Sequence, residues 1–299
     1  MNIPASIHAR LASAAGKADR TFSEFLQLYA NERFLYRLSR TPHGRKFVLK
    51  GSLPFSIELG DSTRPTKDID LLGRTANDIE SLVAIVRDVF SEECEEDGMS
   101  FDPDSVHAET IIEDAVYEGI RVTFRGNLGK AGASMQVDIS FADKLLSPAV
   151  LCDYPTMLDL PSPRILVYPL ESTIAEKFEA MVKLGEINSR FKDFYDILLL
   201  SRRLDFEGAK LAGAIRLTFA TRGTSIQALP VCLSSEFSGD AGRQSQWGAF
   251  IGRNRVSGAP GDFKEVVAGI AAFLGPVAGA LSRDEVFEDR WRHPGPWVS

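Results

Sequence analysis

The stretch Lys67-Asp68-Ile69-Asp70-Leu71-Leu72 constrains this chain more than any other. It reads as a strand from Lys67 to Leu72. Successive side chains of a strand point to opposite faces, so Asp68 and Asp70 share one face while Ile69 and Leu71 share the other. The aliphatic face goes into a core, and the acidic face stays polar. Two carboxylates about 7 Å apart along a strand repel each other unless something cationic lies between them.

The surroundings of this strand read as a mixture of helix and sheet. Thr21-Phe22-Ser23-Glu24 forms a capping box. Phe25, Leu28, Tyr29, Phe34, Leu35 and Leu38 then recur near helical spacing up to Ser39. Thr41 to Gly44 breaks that helix, and Lys46 to Lys50 is an apolar strand. After Gly51-Ser52 a short helix is expected from Leu53 to Leu59, with Pro54 tolerated in its first turn. Gly60 to Pro65 reads as a loop, Ile79 to Phe90 as an amphipathic helix, and the acidic run Glu92 to Asp97 with Gly98 as a solvated loop. Val106 to Ile112, Ile120 to Phe124 and Met135 to Ile139 carry β patterning. Turns are expected at Glu118-Gly119 and within Gly126 to Gly132, giving an antiparallel meander joined to the first two strands. Four prolines between Pro155 and Pro169 predict a linker or surface crossing. Helices follow over Leu170 to Leu184, Phe191 to Arg203 and Phe263 to Leu281. The fold class is α+β: a sheet-containing domain over 1–160 and a helical domain over 161–299.

Composition removes several classes. The 299 residues are 44% hydrophobic and 25% charged, enough for one large domain or two ordinary ones with buried cores. No run of about 18 apolar residues is evident, so no membrane contact is expected. Met1 to Arg20 lacks a signal-peptide apolar region, and a cytoplasmic location is expected. Cys94, Cys152 and Cys232 are far apart, and none of the four histidines has a second ligand at metal spacing. A net charge of −7 argues against a sequence-indifferent nucleic-acid coat, yet suits acids that hold metal ions.

Mg²⁺ is the natural occupant between Asp68 and Asp70, since it takes carboxylate and phosphate oxygens. Asp138, flanked by Val137 and Ile139, is expected to complete a three-carboxylate site for two ions. One ion then activates an attacking hydroxyl and the other stabilises a leaving pyrophosphate. Gly51 allows close backbone approach, and Ser52 with the following helix start offers donors for phosphate. Arg64, Thr66 and Lys67 lie close to the acids in sequence. A second cluster comprises Glu176-Lys177, then Arg190-Phe191-Lys192-Asp193 and Asp196. By residue type alone it reads as a surface salt-bridge network between two helices.

Asn31 to Ser39, Phe47 to Gly51, Arg64 to Asp70, Ala175 to Lys177, Arg190 to Asp196 and Gln246-Trp247 together resemble the AbiEii-type toxin family, over roughly residues 25–280. The resemblance implies a polymerase-β-like nucleotidyltransferase from bacterial toxin–antitoxin and abortive-infection systems. It implies Mg²⁺ and an NTP as substrate, a cognate antitoxin, and the 3′ end of tRNA as acceptor. It carries the D-x-D acids over to Asp68 and Asp70, a phosphate-binding lysine to Lys177, and a catalytic acid to Asp193 beside Arg190, Lys192 and Asp196. Leu53 and Pro54 depart from the family's small residues after the glycine. Two rival readings stand beside it: transfer to a small molecule or protein, and a non-catalytic regulator that keeps the fold.

Overall fold

Alternation and helical periodicity both reach their expected partners in the structure, a computed structural model that describes residues 2–60, 64–113, 117–256 and 258–299. The chain divides into two compact units. One comprises Met1–Ala142 and Ala149–Tyr168, the other Asp143–Pro148 and Pro169–Ser299.

The first unit opens with helix α1 (Ile3–Lys17) and helix α2 (Phe22–Arg40). The capping box forms: Thr21 N donates to Glu24 Oε2 at 3.0 Å, and Glu24 N donates to Thr21 Oγ1 at 3.2 Å. The sequence reading missed α1, whose buried stripe is only Ile7, Leu11 and Ala15. Then follow β1 (Phe47–Lys50), α3 (Phe55–Leu59), β2 (Ile69–Gly73), α4 (Ile79–Phe90), β3 (Met99–Glu113), β4 (Tyr117–Leu128), β5 (Ala131–Ser140), β6 (Val150–Asp153) and β7 (Arg164–Val167).

The strands form a seven-stranded mixed sheet in the order β3-β4-β5-β2-β1-β7-β6. The expected meander is β3-β4-β5, antiparallel throughout. It joins β2 through a parallel β2–β5 pairing, and β2 runs antiparallel to β1. One face of the sheet is apolar. Phe47, Leu49, Ile69, Leu71, Ile120, Val122, Val137 and Ile139 from the strands share a core with Phe34 and Leu38 of α2 and Leu82, Ile85, Val86 and Val89 of α4. Phe124 anchors its aromatic part, with ring centroids 5.1 Å from Phe34 and 4.9 Å from Phe90.

Several expectations are corrected. Arg164–Val167, expected within a linker, is β7, paired in parallel with β1. Its prolines bracket the strand instead of entering it, so the ladder loses no donor. Glu118-Gly119, expected as a turn, lies inside β4 opposite Ile111 and Ile112. The acidic run does not simply face solvent. Asp97 is 3% exposed and receives Arg37 Nη1 at 2.6 Å and Nη2 at 3.0 Å. Helix α3 begins at Phe55, because Ser52 to Pro54 are in turn conformation. The loop expected over 60–65 falls partly at 61–63, outside the described residues.

The second unit is built on α5 (Leu170–Leu184), α6 (Phe191–Arg203), β8 (Phe206–Glu207), α7 (Gly208–Arg222), α8 (Ser235–Gly239), α9 (Ala241–Asn254), α10 (Phe263–Ser282), β9 (Arg290–Trp291) and β10 (Trp297–Val298). Phe191, Phe194, Phe237, Trp247 and Phe263 are buried together as an aromatic core. Helix α10 is, by length and composition, apolar enough to cross a membrane, which the sequence reading passed over. It packs against α6, α7 and α8, with Val266, Ile270, Phe273, Leu274 and Val277 fully or almost fully buried. The C-terminal strands form a three-stranded sheet with β8, in the order β10-β9-β8.

Candidate active site

The polar face of the first unit's sheet carries a line of charges set by strand register. Arg121 on β4 pairs with Asp138 on β5. Asp138 pairs with Asp70 on β2, and Asp70 pairs with Lys50 on β1. Registered residues on neighbouring strands share a face about 5 Å apart. The row therefore reads cation, acid, acid, cation across four adjacent strands. Asp68 lies one residue before β2, on the other side of the fully buried Ile69, and is partly buried like Asp70.

Each member is fixed locally. Lys50 is 5% exposed, donates to Ser140 Oγ at 3.2 Å, and places its ammonium 5.8 Å from the Tyr168 ring centroid. A buried ammonium is tolerated only with compensating charge and hydrogen bonds, and Asp70 is its cross-strand neighbour. Gly51, which follows, has φ +75, and a Cβ there would collide with the Asp70 carboxylate. Glycine is therefore required twice, for the turn and for the packing of Asp70. Upstream, Asn31 of α2 donates to the Lys67 carbonyl at 3.1 Å, and Gln27 donates to Asn31 Oδ1 at 3.1 Å. This buried relay ties the backbone just ahead of Asp68 to α2.

Asp138, expected as a third metal ligand, is held by neighbouring side chains. Arg121 Nε donates to its Oδ1 at 2.8 Å and Nη2 to its Oδ2 at 2.7 Å, while Gln136 Nε2 donates to Oδ2 at 3.1 Å. Among the described residues, no three His, Cys, Asp or Glu side chains gather closely enough to hold a metal ion. Asp138 also gives Arg121 its most direct stabilisation: its hydrogen bonds raise the guanidinium pKa further, against a smaller opposing effect of burial. The donor chemistry of Asp68 and Asp70 fits Mg²⁺, which commonly takes one or two carboxylates and leaves its remaining positions to water and phosphate.

The other expected phosphate ligands of this unit differ in exposure. Ser52 is buried in the turn before α3, which is only five residues long. Arg64 and Thr66 are partly buried, and Lys67 is exposed.

The second unit holds the other cluster. Lys177 of α5 reaches Asp193 Oδ1 and Asp196 Oδ2 of α6, each at 2.8 Å. Arg190 Nε binds the other Asp193 oxygen at 2.6 Å. Both aspartates are 0% exposed, so the network is a buried one and not the surface network that residue type suggested. Burial pushes the Asp193 carboxyl up, but the Lys177 and Arg190 charges outweigh it and hold the group at about 2. Lys192 points to solvent. A neighbouring network was missed by sequence reasoning: Arg222 at the end of α7 binds Glu179 at 3.0 Å and lies within 4 Å of Asp143 and Glu176. Lys50 and Gln136 were missed as well. Lys50 carried one signal, its place at the end of the strand leading into Gly51.

A sheet with a helix-covered apolar face and a carboxylate pair beside a glycine turn defines a class that family comparison makes specific. The family model for the nucleotidyl transferase AbiEii toxin, type IV toxin–antitoxin system, matches residues 33–269. The chain belongs to that family. Among solved structures it is similar to a protein of H. pylori described as a candidate nucleotidyltransferase, with 13% identity, TM-score 0.48, and coverage of 88% of this chain and 96% of that one. It is also similar to JHP933 from Helicobacter pylori, with 12% identity, TM-score 0.48, and coverage of 88% and 94%. No curated protein matches it.

Proposed function

We propose that this chain transfers a nucleoside monophosphate from an NTP to the 3′ end of tRNA, using Mg²⁺ held by Asp68 and Asp70. The observation that carries the reading is the registered charge row beside Gly51, in a member of a nucleotidyl transferase toxin family. Mg²⁺ supplies the positive charge that lets the carboxylate pair and a triphosphate share one site. Asp68 and Asp70 provide its oxygens. Lys50 balances Asp70 from the neighbouring strand, and Gly51 removes the side chain that would displace Asp70. Arg64 and Lys67 offer charge to the triphosphate. In the second unit, taken by itself, Asp193 and Asp196 hold the Lys177 ammonium, and family resemblance gives that lysine a phosphate-binding role. In the reaction the acceptor hydroxyl gives up its proton to water as its oxygen bonds to the α-phosphorus, the α–β phosphoanhydride bond breaks, and pyrophosphate leaves.

Exposed basic groups support a nucleic-acid acceptor. Arg125 and Lys130 lie at the β4–β5 hairpin, while Lys192, Arg202 and Arg203 lie on α6. The family is one of type IV toxin–antitoxin systems, so the proposed partners include a cognate antitoxin. The test incubates the protein with tRNA and each labelled NTP in turn, with and without Mg²⁺. Label should appear on tRNA only with Mg²⁺ present, and Asp70→Asn should abolish it while the protein remains folded. Label on a small molecule with none on tRNA would remove the tRNA assignment. Full transfer by Asp70→Asn would remove the metal assignment.

A further inference from the structure

We infer that Arg121 is a phosphate ligand for the NTP, and that Asp138 is its positioning residue and not a third metal ligand. The inference rests on the nucleotidyl transfer reading above. A guanidinium has five N–H donors in a rigid fork. Asp138 takes the Nε and Nη2 edge in a bidentate pair at 2.8 and 2.7 Å. That geometry turns the other edge, made by Nη1 and the second N–H of Nη2, away from the carboxylate. This second edge is the one that matches two oxygens of a phosphate.

Three further observations place the group at the site. Arg121 is registered to Asp138, which is itself registered to Asp70, so it stands on the polar face two strands from the carboxylate pair. Asp68 is among the charges that act on it. Its side chain is 34% exposed, against 14% for Asp138, so the guanidinium is the accessible member of the pair. Gln136 holds Asp138 from a third direction at 3.1 Å. A carboxylate whose two oxygens both serve neighbouring donors is suited to aiming an arginine, and has three of its about four acceptor positions already in use.

The experiment compares the wild-type chain with Asp138→Asn, Arg121→Lys, Arg121→Ala and the Asp138→Asn/Arg121→Ala double variant. Mn²⁺ binding is measured by electron paramagnetic resonance, binding of each Mg²⁺–NTP by calorimetry, and folding by thermal melts. Arg121→Ala should weaken NTP binding about tenfold or more, the scale of a charge-assisted hydrogen bond. Asp138→Asn should weaken it in the same direction, and the double variant should be no worse than Arg121→Ala alone. Arg121→Lys, which keeps the charge and loses the fork, should recover only part of the loss. Mn²⁺ affinity of Asp138→Asn should stay within about twofold of wild type. Gln136→Met supplies a milder disturbance should Asp138→Asn fail to fold, and should shift NTP binding the same way without moving Mn²⁺ affinity. A large loss of Mn²⁺ binding in Asp138→Asn alone would make Asp138 a metal ligand and overturn the inference. Wild-type NTP affinity in every variant would overturn it too, making the pair structural. A wild-type chain that binds neither Mn²⁺ nor any NTP would instead overturn the nucleotidyl transfer reading and the inference with it.

Discussion

At the residue scale, Gly51 and Asp193 show how much one position can carry. Gly51 combines a positive φ with direct packing under the Asp70 carboxylate. Gly51→Ala should therefore destabilise the protein by about 1–3 kcal/mol, the scale of a strained backbone, and should also displace Asp70. A thermal melt and a transfer assay check both effects. An alanine variant with wild-type stability and activity would show that the turn can move without consequence. Asp193 makes a different prediction, set by pH. Its folded pKa, about 2, lies below the ordinary value of 3.8. Between those values the unfolded chain binds more protons, so stability rises with pH through the window. The contribution is complete above about pH 4 and is lost as pH falls through about 2, amounting to about 2 kcal/mol. Asp193→Asn should lower the urea midpoint at neutral pH and flatten its fall between about pH 4 and 2. The D-x-D segment stood out in sequence by its alternation with apolar residues, although the strand expected from Lys67 begins at Ile69 and leaves Asp68 just ahead of it. The partner of Asp138 did not, since Arg121 is 17 positions away and adjacent only through the β4–β5 register.

At the element scale, helices that expose one face and bury the other were read with accurate ends. Helices α4, α5 and α6 span the expected residues, because apolar spacing and the flanking residues agree there, with the Asp78 side chain capping α4. Elements with weak patterning were missed. Helix α1 buries three side chains, and β6 and β7 have four residues each, too few for alternation to stand out. The acidic run misled for another reason: charge suggests solvent until a buried partner is known. Arg37 is that partner, and its bidentate pair with Asp97 ties α2 to the segment entering β3. Removing one member of a buried ion pair leaves the other uncompensated, so Arg37→Ala should cost about 3–5 kcal/mol. The check is a denaturant melt. A loss below about 1 kcal/mol would mean that water or another group takes over Asp97.

At the scale of the whole molecule, the net charge of −7 is low for a protein proposed to act on RNA. Any RNA contact then depends on local basic groups such as Arg125, Lys130, Arg202 and Arg203, which are exposed. Retention of tRNA by the intact protein should fall steeply between about 50 and 200 mM salt, as expected for the release of several counterions. A flat salt response in filter binding would remove the basic groups from the account. The amino-acid sequence by itself determined the α+β composition, the buried faces of the long helices and the D-x-D pair, because each is a property of spacing along a single segment. Only the tertiary structure decided which charges face one another. Arg121, Asp138, Asp70 and Lys50 line up through three strand registers, one of them parallel, and Lys177 meets its aspartates across two helices. Pairing of this kind joins residues far apart in the chain, and the packing of the whole sheet or helix layer sets it, so no local pattern records it.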